Sequence, residues 1–319
     1  MSLPDTLQSM EYAGGVVAID TGFMRPVMAA AWLVESDDGV AFIECGVNAS
    51  VPGLLDLLRL RGWSESDVRY VIPTHVHLDH AGGAGTLMAA CPNAELLAHP
   101  RGARHLVDPS RLEASVRQVY GDEFYDATYG ELVPVPAERV REMPDGARLS
   151  LGSREFLFRD TPGHARHHFC IWDEATRGWF TGDTFGLSFR ELDTSNGPFV
   201  FPSTTPIQFD PEALKASIDL LMAAEPESMY LTHFGRVQDL PRLAANLKTA
   251  IDTYVDITQQ HANHPNRTEA IQNDLYTWLT HAARTHGVTL EETALNEILW
   301  PDVVINTQGL EFWLDHATG

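Results

Sequence analysis

Histidine and aspartate side chains are concentrated in one short stretch of this sequence. The segment THVHLDHAGG, residues 74–83, places three imidazoles and one carboxylate within six consecutive positions, at His75, His77, Asp79 and His80. Imidazole nitrogen and carboxylate oxygen are ligands that zinc and similar divalent metals prefer. A folded core gains nothing from clustering groups that are costly to remove from water. The stretch therefore predicts a metal site.

Three later segments carry the same kinds of group directly after a predicted β-strand. Each has the pattern of a strand, one or more small residues and then a ligand-type side chain. They are Thr161-Pro-Gly-His164, Thr181-Gly-Asp183-Thr and Leu231-Thr-His233-Phe-Gly. Together with the first stretch they supply five histidines and two aspartates. That set is enough for two metal ions that share one carboxylate and leave a position open for water.

Short β-type runs alternate with helical patterns around these segments, which is typical of a mixed α/β fold. The predicted strands are residues 16–20, 29–34, 40–44, 70–72, 156–159, 169–172, 179–181 and 229–232. Residues 51–60 have helical spacing, and the pair Asp38-Gly39 predicts a hairpin turn. The nucleotide-binding loops GxGxxG and GxxxxGK[ST] follow none of these strands.

Two segments are predicted to be helical. Residues 101–131 read as a helical insertion near the metal site, and only helical periodicity is seen from Gln238 onward, with breaks at His264-Pro265 and Pro301. We therefore expect a catalytic domain over residues 1–236 and an α-helical C-terminal extension over residues 237–319.

Several side chains outside the ligand set have two competing interpretations. His168 is expected to support a ligand, and His99 either lines a pocket or belongs to a simple loop. The aromatic side chains of the insertion and of the loop 185–209 are expected mainly in the core, with a substrate pocket as the alternative. They are Tyr120, Tyr125, Tyr129, Phe185, Phe189, Phe199 and Phe201.

Composition limits the class of partner. The chain of 319 residues has a formal charge of -22, which opposes binding to a phosphate backbone, so we expect no nucleic-acid partner. No apolar run is long enough for a membrane span, and the first residues lack the pattern of a secretory signal. Three separated cysteines do not suggest a disulfide framework. We expect a cytoplasmic protein that acts on a small molecule.

The motifs and their order resemble the metallo-β-lactamase fold superfamily of metallohydrolases. HxHxDH followed by spaced histidine, aspartate and histidine occurs across residues 16–235. The resemblance implies a four-layer αββα sandwich, with metals at one edge between two sheets. It also implies two metal sites joined by a bridging carboxylate. The implied ligands are His75, His77 and His164 for the first metal, Asp79, His80 and His233 for the second, and Asp183 as the bridge.

The same resemblance suggests an activity. The acidic charge disfavours the nuclease branches, and the chain has no room for a flavodoxin module, which leaves the neighbourhood of glyoxalase II, lactonases and persulfide dioxygenases. We expect a dinuclear hydrolase in which a metal-bridging hydroxide attacks an ester, lactone or thioester carbonyl. Asp79 and Asp183 would hold the geometry and shuttle the proton. Zinc is the first choice of metal, with iron or manganese as alternatives.

Two other functions stay open. One is an iron-dependent oxygenase similar to the persulfide dioxygenases, with a single iron held by two histidines and an aspartate. The other is a metal-containing ligand-binding or regulatory protein with weak turnover. The tail from Arg236 carries five basic against eleven acidic residues, so an anionic thioester is not an obvious substrate. Trp278, Trp300 and Trp313 in this tail are candidates for a homodimer interface.

Overall fold

Two β-sheets form the centre of the fold in the computed structural model, which describes residues 8–204 and 206–316. The first sheet has seven strands in chain order: β1 (Ser9–Tyr12), β2 (Val16–Asp20), β3 (Ala30–Ser36), β4 (Gly39–Ile43), β5 (Val68–Ile72), β6 (Glu95–Ala98) and β7 (Val140–Glu142). The second has six: β8 (Arg148–Leu151), β9 (Arg154–Asp160), β10 (Phe169–Asp173), β11 (Gly178–Gly182), β12 (Ser228–Leu231) and β13 (Gly235–Val237). The neighbouring strands from β4 through β7 pair in parallel, as do β11 and β12. All the other neighbouring strands are antiparallel.

Helices cover the outer faces of both sheets. They are α1 (Val51–Leu60), α2 (Leu78–Ala81), α3 (Ala84–Ala90), α4 (Ala103–Val107), α5 (Ser110–Tyr120), α6 (Asp122–Thr128), α7 (Pro211–Met222), α8 (Leu240–Gln260), α9 (Arg267–His286) and α10 (Glu292–His316). The Asp210 side chain accepts a hydrogen bond from the Ala213 amide at 3.0 Å and so caps α7, as the Asp-Pro pair predicts.

The alternation of side chains along the strands produces three hydrophobic layers. On β3, Trp32 points into the cluster between the two sheets, whereas Leu33 points to the opposite face, where α1 and α3 pack. On the far side of the second sheet, Trp179 and Met229 share a cluster with α7, α8, α9 and α10. The central strands of both sheets are therefore buried on both faces, and the predicted four-layer αββα arrangement is confirmed.

The C-terminal helices form part of the outer layer of this sandwich. Leu243, Leu275 and Leu299 on α8, α9 and α10 lie in the same hydrophobic cluster as the second sheet. The division at residues 236 and 237 stays a prediction, although β13 spans it. This strand was missed because three residues are too few to show a strand alternation. The first residues of the chain were predicted to lack a secretory signal. Residues 1–7 of that segment lie outside the described residues.

The predicted helix break at Pro301 is wrong, whereas the break near Pro265 is confirmed. Pro301 lies inside α10, which continues to His316. Proline removes one hydrogen bond from a helix, but Leu299 and Val303 on either side of it are both buried in the outer cluster. Tertiary packing of the flanking turns therefore outweighs the local preference to stop.

The three tail tryptophans are half-buried. Each packs against the outer hydrophobic cluster of the same chain. Trp278 contacts Tyr254 with 5.8 Å between ring centroids, and Trp300 and Trp313 are likewise partly buried beside this cluster. The homodimer stays a prediction. Among the residues that the structure describes, none of the helices has both the length and the apolar character needed to cross a membrane.

A buried ion pair ties the two sheets together. Arg154 at the start of β9 donates to both oxygens of Asp173 at 2.9 and 2.5 Å, and a third nitrogen donates to the carbonyls of Gly14 and Glu35 on the first sheet. Asp173 is fully buried. Loss of the arginine would therefore leave a carboxylate without its charged partner inside the protein.

We expect Arg154→Leu to lower the free energy of unfolding by about 3–5 kcal/mol, the usual result of breaking a buried pair. Urea denaturation measures the change. Arg148→Leu, at an exposed position on the neighbouring strand β8, is the matched control and should be nearly neutral. Equal unfolding midpoints for the two variants would contradict this account of the ion pair.

Candidate metal centre

The seven predicted ligand residues converge at one edge of the sandwich. The segment after β5 supplies His75, His77, Asp79 and His80 from the first sheet. The segments after β9, β11 and β12 supply the others, which are His164, Asp183 and His233. Since β9, β11 and β12 run in the same direction, their carboxyl ends meet at a common edge. The fold thus places groups that are far apart in sequence at one site.

Three imidazoles form the first group. His77 Nδ1 lies 2.6 Å from His75 Nε2 and 3.2 Å from His164 Nε2. His75 and His164 are each about 1% exposed, so these rings meet in a nearly dry environment. One nitrogen of each ring faces the same small volume.

Two histidines and a carboxylate form the second group. Asp79 Oδ2 lies 3.2 Å from His233 Nε2 and 3.4 Å from His80 Nε2. Asp79 lies in the first turn of the short helix α2, and His80 belongs to the same turn. His233 arrives from the opposite sheet, shortly after β12.

Asp183 lies between the two groups. Its Oδ2 is 3.4 Å from His164 Nε2 in the first group. Its Oδ1 is 3.2 Å from His80 Nε2 and 3.6 Å from His233 Nε2 in the second. Each oxygen of this one carboxylate therefore faces a different group, which is the geometry of a bridging ligand.

The chemistry of this set fits divalent cations. His80 Nε2 and Asp183 Oδ1 are buried and have no hydrogen-bond partner among the described residues, although they lie 3.2 Å apart. The two atoms are directed at a shared space rather than at each other, as ligands of one ion are. Buried polar atoms without a partner are costly unless something binds them. A pair of metal ions held by nitrogen and oxygen ligands would satisfy these atoms.

Hydrogen bonds on the outer side of the rings fix which nitrogen faces inward. His233 Nδ1 donates to the Met28 carbonyl at 2.8 Å, and His164 Nδ1 donates to the Ser203 carbonyl at 3.2 Å. Thr74 gives its hydroxyl proton to a carboxylate, so it accepts from His75 Nδ1 at 3.1 Å. The Nε2 atoms of these three rings are thereby left as lone-pair donors, as metal-binding histidines require.

Glu44 is the central residue that sequence reasoning missed. Its fully buried carboxylate accepts hydrogen bonds from the Thr74 amide and hydroxyl at 3.0 and 2.6 Å, from His80 Nδ1 at 2.9 Å and from the Thr232 hydroxyl at 3.0 Å. Thr74 and Thr232 directly precede His75 and His233. The available signal was one acidic residue at the end of an apolar strand, which in the sequence reads only as the last position of the predicted strand 40–44.

Burial and mutual charge set the protonation states of the centre. Burial lowers the pKa of His75 and His77, and repulsion between neighbouring imidazoles lowers it further. Burial alone would raise the pKa of the Asp79 and Asp183 carboxyls, but the charges of His80 and the neighbouring histidines outweigh it and both pKa values lie below their usual range. Neutral imidazole and ionised carboxylate are the forms that bind metals.

His80 behaves differently from the histidines of the first group. Burial would lower its pKa, yet the charges of Asp79, Glu44 and Asp183 raise it well above its ordinary value. Metal binding at the second group is therefore expected to compete with a proton on this imidazole.

Three more histidines surround the centre. His168 is fully buried; its Nδ1 contacts the Thr161 hydroxyl at 2.9 Å and its Nε2 accepts from the Asp183 amide at 3.2 Å, which agrees with a supporting role. His99 Nε2 lies 3.1 Å from Asp160 at the end of β9, and its Nδ1 accepts a hydrogen bond from the Arg101 amide, so it joins its loop to the second sheet. His167 is not among the predicted groups, yet its ring stacks 6.1 Å from His75 and burial lowers its pKa to about 4.

Most of the predicted aromatic side chains belong to the core. Phe185, Phe189, Phe199 and Phe201 lie in the outer cluster of the second sheet. The insertion of residues 101–131 divides into α4, α5 and α6, and it delivers Tyr125 and Tyr129 to a small cluster beside α2. Tyr120 stays 36% exposed. Burial raises the pKa of both the Tyr120 and the Tyr129 hydroxyls, and the charge of Asp79 raises it further. Tyr125 and Tyr129 share their cluster with Leu78, the α2 residue that precedes Asp79.

Comparison with known proteins identifies a family. The sequence profile described as the metallo-beta-lactamase superfamily matches residues 24–233, which include all seven predicted ligands. The chain is 28% identical over 219 residues to the metallo-beta-lactamase fold-containing protein ST1585 of Sulfurisphaera tokodaii, covering 66% of this chain and 75% of that protein. It is 30% identical over 178 residues to the acyl-coenzyme A thioesterase MBLAC2 of Homo sapiens, covering 49% of this chain and 57% of that protein.

Solved structures share the fold. The archaeal superfamily protein ST1585 from Sulfolobus tokodaii superposes with a TM-score of 0.63 at 22% identity, covering 96% of this chain and 98% of its own. A metallo-beta-lactamase family protein from Thermus thermophilus superposes with a TM-score of 0.67 at 18% identity, covering 95% of this chain and 94% of its own. At such identities the likeness concerns the architecture, which includes the C-terminal helices.

The role of Glu44 can be tested by Glu44→Gln. The glutamine side chain keeps one acceptor oxygen, but its NH₂ group replaces the other oxygen and faces groups that are themselves donors. The segments before His75 and His233 should therefore be held less firmly. We expect zinc affinity to fall about 10–100-fold, as for other residues that orient metal ligands. Competition with a chromophoric chelator measures it.

Glu35→Gln is the matched control, because Glu35 lies on β3 and binds Arg61 and Trp63 away from the centre. Its zinc affinity should equal that of the wild type. Unchanged affinity in Glu44→Gln would refute the orienting role.

Proposed function

The chain belongs to the metallo-beta-lactamase superfamily, and on that premise we propose that it is a dinuclear metallohydrolase that cleaves an ester, lactone or thioester bond in a small molecule. His75, His77 and His164 would hold one metal. Asp79, His80 and His233 would hold the other, and Asp183 would bridge them.

The position of Asp183 is the observation that carries this proposal. A mononuclear site needs one carboxylate oxygen directed at one cation, whereas here the two oxygens lie within 3.4 Å of a nitrogen in each of two separate histidine groups. Both groups also have three candidate donor atoms within 4.8 Å of one another. The arrangement supports two ions that share one ligand.

Two bound divalent cations would supply hydroxide near neutral pH and polarise the substrate carbonyl. The protein's own residues would hold the reacting groups in place. Asp79 is 21% exposed, which makes it the more accessible of the two carboxylates and the better candidate to pass a proton to the leaving group. Asp183, only 6% exposed, would mainly fix the distance between the two groups.

An apolar group next to the scissile carbonyl fits the surroundings. Phe23, Leu78, Tyr129 and Leu132 form a small hydrophobic cluster that includes a residue of α2, the helix that carries Asp79 and His80. The name of the human relative supports a thioester, although the match covers only about half of each chain. The acidic tail argues for a substrate without a large negative charge. Membership of the glyoxalase II and lactonase branch stays a prediction.

Zinc is the proposed metal, because the site offers imidazole and carboxylate ligands in groups of three, and catalytic zinc is held by three protein ligands with a fourth position open. Iron and manganese accept the same ligands. Elemental analysis of protein purified without added metal separates the candidates. Two equivalents of zinc would support the hydrolase, whereas one equivalent of iron together with oxygen consumption would point to a dioxygenase.

We expect His77→Ala and Asp183→Ala to lose bound metal and hydrolysis together. Metal affinity and turnover should each fall by more than roughly 100-fold, which is the largest usual effect of changing a residue that only orients a ligand. The fold should survive, because the ligands lie at the edge of the sandwich and outside its three hydrophobic layers. Metal content, turnover of an ester, lactone and thioester panel, and circular dichroism are the measurements.

His281→Ala and Asp219→Ala are matched controls at exposed positions on α9 and α7. Both should keep metal and activity. Full hydrolysis by a metal-free Asp183→Ala protein would exclude the proposed mechanism. Two bound metals without hydrolysis anywhere in the panel would favour a ligand-binding or regulatory protein instead.

A further inference from the structure

A buried asparagine on α10 holds the loop of residues 202–204. The Asn306 side-chain oxygen accepts hydrogen bonds from the Thr204 amide at 2.7 Å and from the Thr204 hydroxyl at 3.0 Å, and its nitrogen donates to the Pro202 carbonyl at 3.2 Å. The Asn306 backbone carbonyl lies 2.9 Å from the same hydroxyl, so the two acceptors share its single proton. Asn306 is 2% exposed and Thr204 fully buried, so water does not compete for these bonds.

The loop lies directly beside the candidate centre. Ser203 stands between the two residues that Asn306 holds. Its carbonyl accepts the Nδ1–H of His164 at 3.2 Å, and its hydroxyl lies 3.5 Å from Asp183 Oδ2. A chain of contacts therefore runs from the C-terminal helix to one ligand of the first group and to the bridging carboxylate.

The loop depends on Asn306 for its conformation. Residues 202–204 belong to no helix or strand, so no regular ladder pairs their backbone groups. Phe201, just before them, pairs with Leu187. Buried backbone amides and carbonyls must be paired, and for Pro202 and Thr204 the partner is a side chain more than a hundred positions away in sequence.

A second buried polar atom lies on the same face of α10 as Asn306. Asp302 precedes Asn306 by four positions, so the two side chains lie on the same face. One oxygen of Asp302 is buried without a hydrogen-bond partner among the described residues. Burial raises the pKa of the Asp302 carboxyl to about 7, although the charge of His233 opposes this rise.

We propose that Asn306 is a positioning residue of the metal centre: by holding Pro202 and Thr204, it places the Ser203 carbonyl where it orients the His164 ring. The C-terminal helix α10 is then a functional part of the metal site as well as an outer layer of the fold. This inference rests on the proposed function only in taking His164 as a metal ligand.

The test compares metal binding by Asn306→Ala with that of the wild type, using Zn²⁺ and Co²⁺ alone. We expect the dissociation constant of the weaker-bound ion to rise about 10–100-fold, the usual effect of releasing a ligand histidine from its hydrogen-bond partner. The visible absorption of the Co²⁺-loaded protein should change in band position or intensity, because the Ser203 carbonyl that orients the His164 ring would shift. Wild-type affinity together with a wild-type Co²⁺ spectrum would overturn the proposal.

Thr307→Val is the control for simple loss of stability. Thr307 is the next residue on α10, is also fully buried, and its hydroxyl donates only within the helix, to the Val303 carbonyl at 2.8 Å. This variant should lower the melting temperature of the metal-free protein while Zn²⁺ affinity and the Co²⁺ spectrum stay unchanged. A weakening of metal binding equal to that of Asn306→Ala would overturn the proposal.

A second variant covers the case in which Asn306→Ala does not fold. Thr204→Val removes only the hydroxyl that donates to Asn306, and it should weaken Zn²⁺ binding in the same direction by a smaller factor. No change in this variant would count against the inference. Hydrolysis distinguishes the two proposals: a wild type that binds metal without hydrolysing the substrate panel defeats the function alone, and an active wild type with an unaffected Asn306→Ala defeats the inference alone.

Discussion

The buried carboxylate of Glu44 is the interaction on which the geometry of the centre depends. It directly follows β4, in the interior of the fold, and accepts hydrogen bonds from the chain segments that lead to His75 and His233 and from the His80 ring itself. Those segments come from both sheets. A single carboxylate therefore sets the distance between the two halves of the site. A charge so fully buried is tolerated because each of these neighbouring groups donates a hydrogen bond to it.

The sandwich and the centre have opposite physical requirements. Between and outside the sheets, apolar side chains such as Trp32 and Trp179 are buried on all sides, which stabilises the fold. At the edge, buried imidazoles and carboxylates are kept near one another, and two of their polar atoms have no hydrogen-bond partner among the described residues, which costs stability. The rigid layers offset this cost and hold the ligand-type groups in a position that a flexible chain would not keep.

Local chemistry made most of the centre predictable from the sequence. The spacing of His75 and His77 and the appearance of Asp183 after a strand need only a few neighbouring residues to be recognised. Contacts over long sequence distance are a different matter. Glu44 resembles an ordinary strand end, and Asn306 resembles any polar residue of a helix, until the fold brings their partners to them. The prediction at Pro301 was wrong for the same reason, since the packing of α10 overrides a local rule.

Each sheet is built from one contiguous stretch of chain, with its strands in chain order, and the order of synthesis follows from this. The segment from β1 to β7 leaves the ribosome first and brings His75, His77, Asp79 and His80 with it. The remaining groups arrive only with the second sheet. A nascent chain therefore carries an incomplete set of ligand-type groups until the two sheets dock, so tight metal binding at this centre is expected at the end of folding rather than at its beginning.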